Sequence, residues 1–323
     1  MIGSPTRAMK ILARAARKIR ELRPADLLVF ALVWPLLCLC SFLPPGWAVR
    51  AGKVAGALGF YLDRRHRRVC LQNLRIAFPA LRPAERWETA LRAFENLGRT
   101  FLEFPGLGRQ SRGDILGRIR YSGWEHYHEA VRDRKGVLLL TGHVGNWEMM
   151  ALAHGFHGDP PLAFVARPLD NPHLERWVAR VRGRSGNRMI NKRGALRQVV
   201  RHLREGCAVG LLMDQNTMGP DSLFVDFFST PTGSSAAISY LAVRSGARIL
   251  PVYSVRDAAG TGHTICAEAP VPLQRTGRKN EDVLENTRRC QQVLEGIIRK
   301  HPDQWFWMHR RWKGSPAVKY EGK

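Results

Sequence analysis

Residues 137–148 read VLLLTGHVGNWE, and the fold follows from how that stretch is parsed. Val137, Leu138, Leu139 and Leu140 form a short run with no polar face, introduced by the turn signal Lys135-Gly136. Such a run predicts a strand buried on both sides. Residues 141–145 then hold two glycines, and Trp147, Met150 and Ala151 fall at helical spacing. Strand, glycine turn and helix together make the repeating unit of an α/β sheet. The chain repeats this alternation. Apolar runs at 162–165, 208–213 (AVGLLM), 248–255 and 264–267 predict further strands. Helices are predicted over 84–97, 174–181, 195–204, 234–243 and 280–300. The last carries Glu281 and Asp282 in its first turn and Arg299 and Lys300 in its last, the polarity the helix dipole favours. The expectation is an α/β fold: a single catalytic domain over 64–323, with a mixed central sheet flanked by helices and no internal repeat or linker.

The 323 residues are 45% hydrophobic, which supplies a sizeable core and excludes a disordered or fibrous chain. Charge is the outlier: 51 Lys+Arg against 27 Asp+Glu leave a net +24. That excess calls for an anionic partner, whether nucleic acid, an anionic membrane surface or an acidic protein or substrate. Cys38, Cys40, Cys70, Cys207, Cys266 and Cys290 form no C-x-x-C pair, so neither a disulfide framework nor a zinc knuckle is expected, and a reducing compartment is.

Residues 1–63 differ in composition from the rest. Arg7, Lys10, Arg14, Arg17, Lys18, Arg20 and Arg23 make a basic leader. Residues 27–43 (LLVFALVWPLLCLCSFL) carry no charge and are closed by Pro44 and Pro45. A spanning helix needs about 20 apolar residues and at least about 17. This run sits at the limit, with Pro35 in its middle, and no cleavage site of small residues follows it. Arg50, Lys53, Arg64, Arg65, Arg67 and Arg68 make the far flank basic too. Two basic flanks fit a kinked, membrane-associated helix that enters and leaves one leaflet, with 54–62 (VAGALGFYL) along the interface.

In open α/β sheets, ligands bind beyond the carboxyl ends of the strands. After VLLL comes His143, with Glu148 five residues on; after 162–165 comes Arg167; after AVGLLM comes Asp214. These groups converge on one rim. A carboxylate on one imidazole nitrogen leaves the other basic, as a general base needs. The spacing from His143 to Glu148 decides nothing alone, since it recurs at His128/Asp133, His154/Asp159 and His263/Glu268. Context selects His143, which directly follows a strand, sits between Gly142 and Gly145, and leads into a helix. His128 reads as a solvated helical residue and His154 as loop, and His263 and Glu268 fall on opposite faces of a strand.

Residues 142–148 (GHVGNWE) resemble the catalytic block of the late acyltransferases of lipid A biosynthesis, within the lysophospholipid acyltransferase superfamily. Residues 167–172 (RPLDNP), Asp214-Gln215, 225–228 (VDFF) with Pro231, 247–251 (ARILP) and 302–312 (PDQWFWMHRRW) resemble further blocks in the same order. The resemblance implies a glycerol-3-phosphate acyltransferase-like domain. It implies acyl transfer from a thioester, usually on acyl carrier protein, to a hydroxyl of a lipid A precursor, with no metal, cofactor or covalent enzyme intermediate. His143 would be the general base and Glu148 its orienting partner. Arg167, Asn146, Arg180 and Asp214 would bind substrate or shape the site, and Arg182 or Arg184 are further phosphate-binding candidates. The implied place is the cell inner membrane, with the catalytic domain on the cytoplasmic side.

The related block of phosphatidylinositol mannoside acyltransferases, which use acyl-CoA, keeps a second glycolipid open. Two other classes fit the charge or the fold: a membrane-tethered nucleic-acid-binding protein and a non-catalytic lipid-binding scaffold. No helix-turn-helix, zinc-finger or RNA-binding signature supports a specific nucleic acid.

Overall fold

The computed structural model describes residues 23–157, 160–191, 194–219 and 222–320; most of the basic leader (7–20) and Asp159 lie outside them. The chain opens with four helices, α1 (Pro24–Ser41), α2 (Pro45–Leu62), α3 (Arg64–Ala77) and α4 (Pro83–Leu107), followed by a short α5 (Arg112–Leu116). Prolines start three of these helices, at a position whose N–H has no intrahelical partner anyway. Alternation follows: β1 (Ile119–Ser122), α6 (Trp124–Arg132), β2 (Val137–Thr141), α7 (Trp147–His157), β3 (Leu162–Ala166), α8 (Pro172–Gly183), β4 (Arg188–Asn191), α9 (Ala195–Arg204) and β5 (Ala208–Leu212). A hairpin, β6 (Ser222–Phe227) and β7 (Thr230–Ser235), precedes α10 (Ala237–Ser245), β8 (Arg248–Arg256), β9 (His263–Ala267) and α11 (Lys279–Lys300).

Seven strands form one sheet in the order β1-β9-β8-β2-β5-β3-β4, parallel except for the β8–β9 pair, which gives the expected mixed sheet. β2 lies at its centre, buried at every residue. Strand alternation divides the interior. Val137 and Leu139 join one cluster with Met149, Leu152 and Ala153 of α7; Leu138 and Leu140 join another with Val199 of α9, Leu241 of α10 and Leu294 of α11.

The differences from sequence expectation have local causes. The helix expected over 84–97 runs on to Leu107, through Pro105 in its last turn. Asn171 caps α8, its side chain accepting from the N–H of His173 and Leu174, so that helix starts at Pro172. Ser234 and Ser235 belong to β7 rather than to a helix. That polar strand is held in a hairpin by Phe228 and Ser229, both at positive φ (51° and 54°), the backbone a two-residue hairpin turn requires. His154 lies on α7 and is buried, not in a loop. All six cysteines are free thiols.

The N-terminal helices are fastened to the domain. Helix α1 stays continuous through Pro35, buries only Cys40 and has a mean hydropathy of 1.9; it is long and apolar enough to cross a membrane. One side lies along α8, where Asn171 donates to the Asp26 carbonyl (2.8 Å) and Trp34 meets Trp177 edge-on. Helix α2 packs on α4 backbone to backbone. A Cβ at Gly98 would stand 2.2 Å from the Gly52 carbonyl oxygen, and one at Gly56 would stand 2.2 Å from that of Phe94.

Candidate active site

Strands β2 and β5 are neighbours in register, Thr141 opposite Leu212, so the residues that follow them leave the sheet side by side. His143 follows β2 and Asp214 follows β5. The Asp214 carboxylate accepts the His143 backbone N–H (2.7 Å) and lies 3.0 Å from Nδ1 of the ring. It also accepts the indole N–H of Trp305 (2.8 Å). A side chain at residue 142 would press on Asp214 at 3.1 Å, so Gly142 gives the carboxylate its place. Gly145, at φ +60, passes so close to β8 that a Cβ would lie 2.2 Å from the Ser254 carbonyl oxygen. The C-terminal segment braces the turn from outside: Phe306 N–H donates to His143 O (3.1 Å) and Gly145 N–H to Gln304 O (3.0 Å).

Behind the turn lies a buried polar network. Asn96 and Thr100 of α4 donate to the Gly145 carbonyl, each at 3.2 Å. Arg256 of β8 bonds Glu103 (2.6 Å) and Asn96 (3.0 Å). Asn146 donates to Glu103 (3.1 Å) and accepts the Met149 N–H (3.0 Å), which caps α7. Buried ions need such pairing.

Burial by itself depresses the His143 pKa. The Asp214 carboxylate outweighs it, with a further push from Glu148, and holds the imidazole above its ordinary value. Burial likewise works against ionised Asp214, yet the imidazole, the backbone N–H and the indole hold its carboxyl down at about 2. With Nδ1 turned to Asp214, Nε2 is left for a ligand.

Glu148 does not hydrogen-bond the ring, contrary to expectation. It stands in the first turn of α7, and its carboxylate meets Nε of Arg182 (2.9 Å) and also its Nη2. Burial lowers the Arg182 pKa, but Glu148 more than restores it, so the guanidinium is held charged. Both groups line, with His143, a cavity of about 850 Å³. Its inner part is apolar, bounded by Leu139, Met150, Leu162, Val252 and Ile265, with Trp124 and His154. Burial pushes His154 down to about 4, so it adds no charge there at neutral pH.

The other candidates separate. Arg167 is exposed on the cavity rim and pairs with Asp170 (3.3 Å). Arg180 is exposed on α8 outside the cavity lining; two residues on, Arg182 points in. Asn146 is fully buried in its capping role and does not line the cavity, so it is not placed to touch substrate. Trp305 and Trp307 are buried packing residues.

The family described as bacterial lipid A biosynthesis acyltransferase matches residues 15–314 of the chain. The chain belongs to that family. Among curated relatives, it is 26% identical over 285 residues to the lipid A biosynthesis lauroyltransferase of Escherichia coli K12, covering 87% of this chain and 90% of that protein. It is 26% identical over 287 residues to the E. coli palmitoleoyltransferase, 88% of each chain, and 26% identical over 260 residues to a lipid A biosynthesis acyltransferase of Haemophilus influenzae, 80% of this chain and 81% of that one. It is therefore an acyltransferase.

In this acyltransferase the sequence signal for Asp214 was an acidic residue at the end of a second apolar run, yet nothing in the sequence says that β5 lies against β2. The signal for Arg182 was one basic residue among several on α8; only the helix phase separates it from Arg180. Among the described residues, His202, Glu205 and Cys207 are grouped closely enough to hold a cation. Arg188 enters that group, 3.1 Å from Glu205 and 3.4 Å from His202, and supplies the positive charge instead.

Proposed function

We propose that the acyltransferase moves a fatty acyl chain from a thioester on acyl carrier protein to a hydroxyl of a lipid A precursor, with His143 as general base. The observation that carries this reading is an imidazole at the mouth of an apolar cavity, its Nδ1 held by a buried carboxylate (3.0 Å). Nε2 takes the proton of the acceptor hydroxyl as its oxygen attacks the thioester carbonyl. The tetrahedral intermediate collapses, the C–S bond breaks, and the imidazolium returns its proton to the leaving sulfur. Asp214 remains ionised throughout and stabilises the transient imidazolium. Glu148 occupies Nε and Nη2 of Arg182 and leaves Nη1 for a substrate oxygen, the acceptor phosphate or the thioester carbonyl. Arg167 at the rim takes the phosphate side.

The chain's excess of cations suits acidic carrier protein and phosphorylated glycolipid alike. We place the enzyme at the cytoplasmic face of the inner membrane, where both substrates meet. Mass spectrometry of lipid A from a host lacking its own late acyltransferases tests the reading. Expression of the chain adds one acyl mass, and His143→Ala abolishes the gain. A well-expressed, membrane-located chain that adds nothing refutes the acceptor, and a gain that survives His143→Ala refutes the base.

A further inference from the structure

The cavity is not one simple groove. β5 pairs with β2 up to Leu212, but with β3 only as far as Phe164 opposite Gly210. Beyond that pair the two strands part, and Val165, Ala166, Leu211 and Leu212 all face the cavity. One lobe lies between α7 and the sheet, among the residues of the Leu139 cluster. The other lies toward α9 and α10, among those of the Leu211 cluster, and reaches the surface at Leu196, 45% exposed. The α7 lobe is walled by side chains held away from solvent. Leu139, Met150, Leu162, Val252, Ile265 and Trp124 around it are all buried. A chain enters such a lobe end first, and no sugar headgroup can follow.

Gly210 lines this lobe from the sheet, opposite Leu139 on one side and Phe164 on the other. Glycine weakens a strand interior, so its presence there marks close approach by something else. The protein itself does not come close. A Cβ at Gly210 would meet the Phe164 Cβ at 3.6 Å, Leu162 Cδ1 at 3.8 Å and the Ala163 carbonyl oxygen at 3.9 Å, all ordinary contacts. The backbone raises no objection either, since Gly210 is not among the glycines at positive φ. A Cβ at residue 210 fits without strain, on a residue that lines the cavity.

We propose that the α7 lobe receives the hydrocarbon chain of the acyl donor and that Gly210 is a specificity-determining residue, leaving the depth of the lobe open to the longest chain it accepts. This rests on the acyl-transfer reading above. The donor is the substrate that fits the lobe, because its carbonyl must stop at His143 while its chain runs away from solvent. Side chains added at residue 210 shorten the usable depth in proportion to their size.

The test is the series Gly210→Ala, Gly210→Val and Gly210→Leu in the full-length chain. Each is assayed with a ladder of saturated acyl carrier protein thioesters that differ by two methylenes, on one lipid A precursor. The preferred donor moves stepwise down the ladder as the side chain grows, and discrimination between neighbouring rungs changes by roughly tenfold or more. Turnover on the shortest donor falls least along the series, which separates selectivity from misfolding. Displacement of a fluorescent fatty acid from the purified chain gives a second readout that needs no acceptor: affinity for long chains falls along the series and affinity for short ones holds. Unchanged donor preference in folded variants overturns the proposal, as does a uniform loss on every rung. If the parent chain transfers nothing but its fatty-acid affinity still falls along the series, the acceptor reading fails and the lobe assignment stands.

Discussion

An imidazole whose Nδ1 faces a buried carboxylate is fixed in the tautomer that leaves Nε2 basic. At this site that carboxylate is Asp214, and the sign of its effect sets the pH profile. As the proposed general base, His143 works when neutral. The His143 pKa is raised, so kcat/KM falls as pH drops through a midpoint above the ordinary histidine value and is flat above it. Asp214→Asn removes the charge that raises it. The acid limb then shifts to lower pH, while the plateau falls by about 10⁴-fold, the scale of neutralising the carboxylate behind a general-base imidazole. A pH–rate series on both proteins checks this, and a limb that stays put shows that Asp214 does not govern the ring. Arg182→Lys separates the second pair: a lysine cannot meet both oxygens of Glu148, so on the proposed reading the KM of a phosphorylated acceptor rises with little movement of the acid limb. His143 was legible in the sequence because strand, glycine turn and helix are local patterns. Its true partner was not, because Glu148 is near in sequence while Asp214 is near only through sheet pairing.

Helix α4 carries two jobs on opposite sides. Gly98 packs it against α2, and Asn96, Thr100 and Glu103 reach the turn behind His143. Only a glycine at 98 allows the first. Gly98→Val drives carbons into the α2 backbone, where a Cβ already lies 2.2 Å from Gly52 O. Overpacking of this kind costs about 1–3 kcal/mol or more, and denaturant unfolding measures it. Glu103→Leu strands Arg256 in the interior. The loss is about 3–5 kcal/mol, the cost of leaving a buried charge unpaired. Because Glu103 also holds Asn146, the helix cap under the His143 turn loosens with it, so turnover falls even where the variant remains folded. An unfolding midpoint equal to the parent's contradicts both expectations. The sequence pattern for 84–97 fitted a helix of this kind but carried no sign of the network: Asn96, Thr100 and Glu103 are spaced as any solvated face would be, and they are polar because they face the Gly145 carbonyl and Arg256 from two other segments. The β6–β7 hairpin escaped for a similar reason, since Thr230–Ser235 has no apolar alternation to read.

At the scale of the whole molecule, the proposed membrane attachment rests on two forces that respond differently to salt. The net charge of +24 acts through the solvent, where the screening length is about 8 Å at physiological ionic strength and about 3 Å at 1 M. The outward face of α1 acts by burial of apolar area, which salt does not weaken. Leu32, Leu36 and Leu39 stand 71%, 60% and 65% exposed on that face and bury nothing of the core. They can be changed without touching the fold. With Leu32, Leu36 and Leu39 all replaced by serine, attachment rests mainly on charge. The variant then binds vesicles containing anionic lipid at low salt and is released at about 1 M salt. The parent chain stays bound to the same vesicles throughout, and binds neutral vesicles too. Sedimentation with vesicles of both compositions reads the result. Release of the parent chain by salt would show that α1 does not insert and that charge alone holds the enzyme to the lipid surface. Retention of the serine variant at high salt would move the anchor to α2, where Trp47, Val54 and Leu58 also face outward.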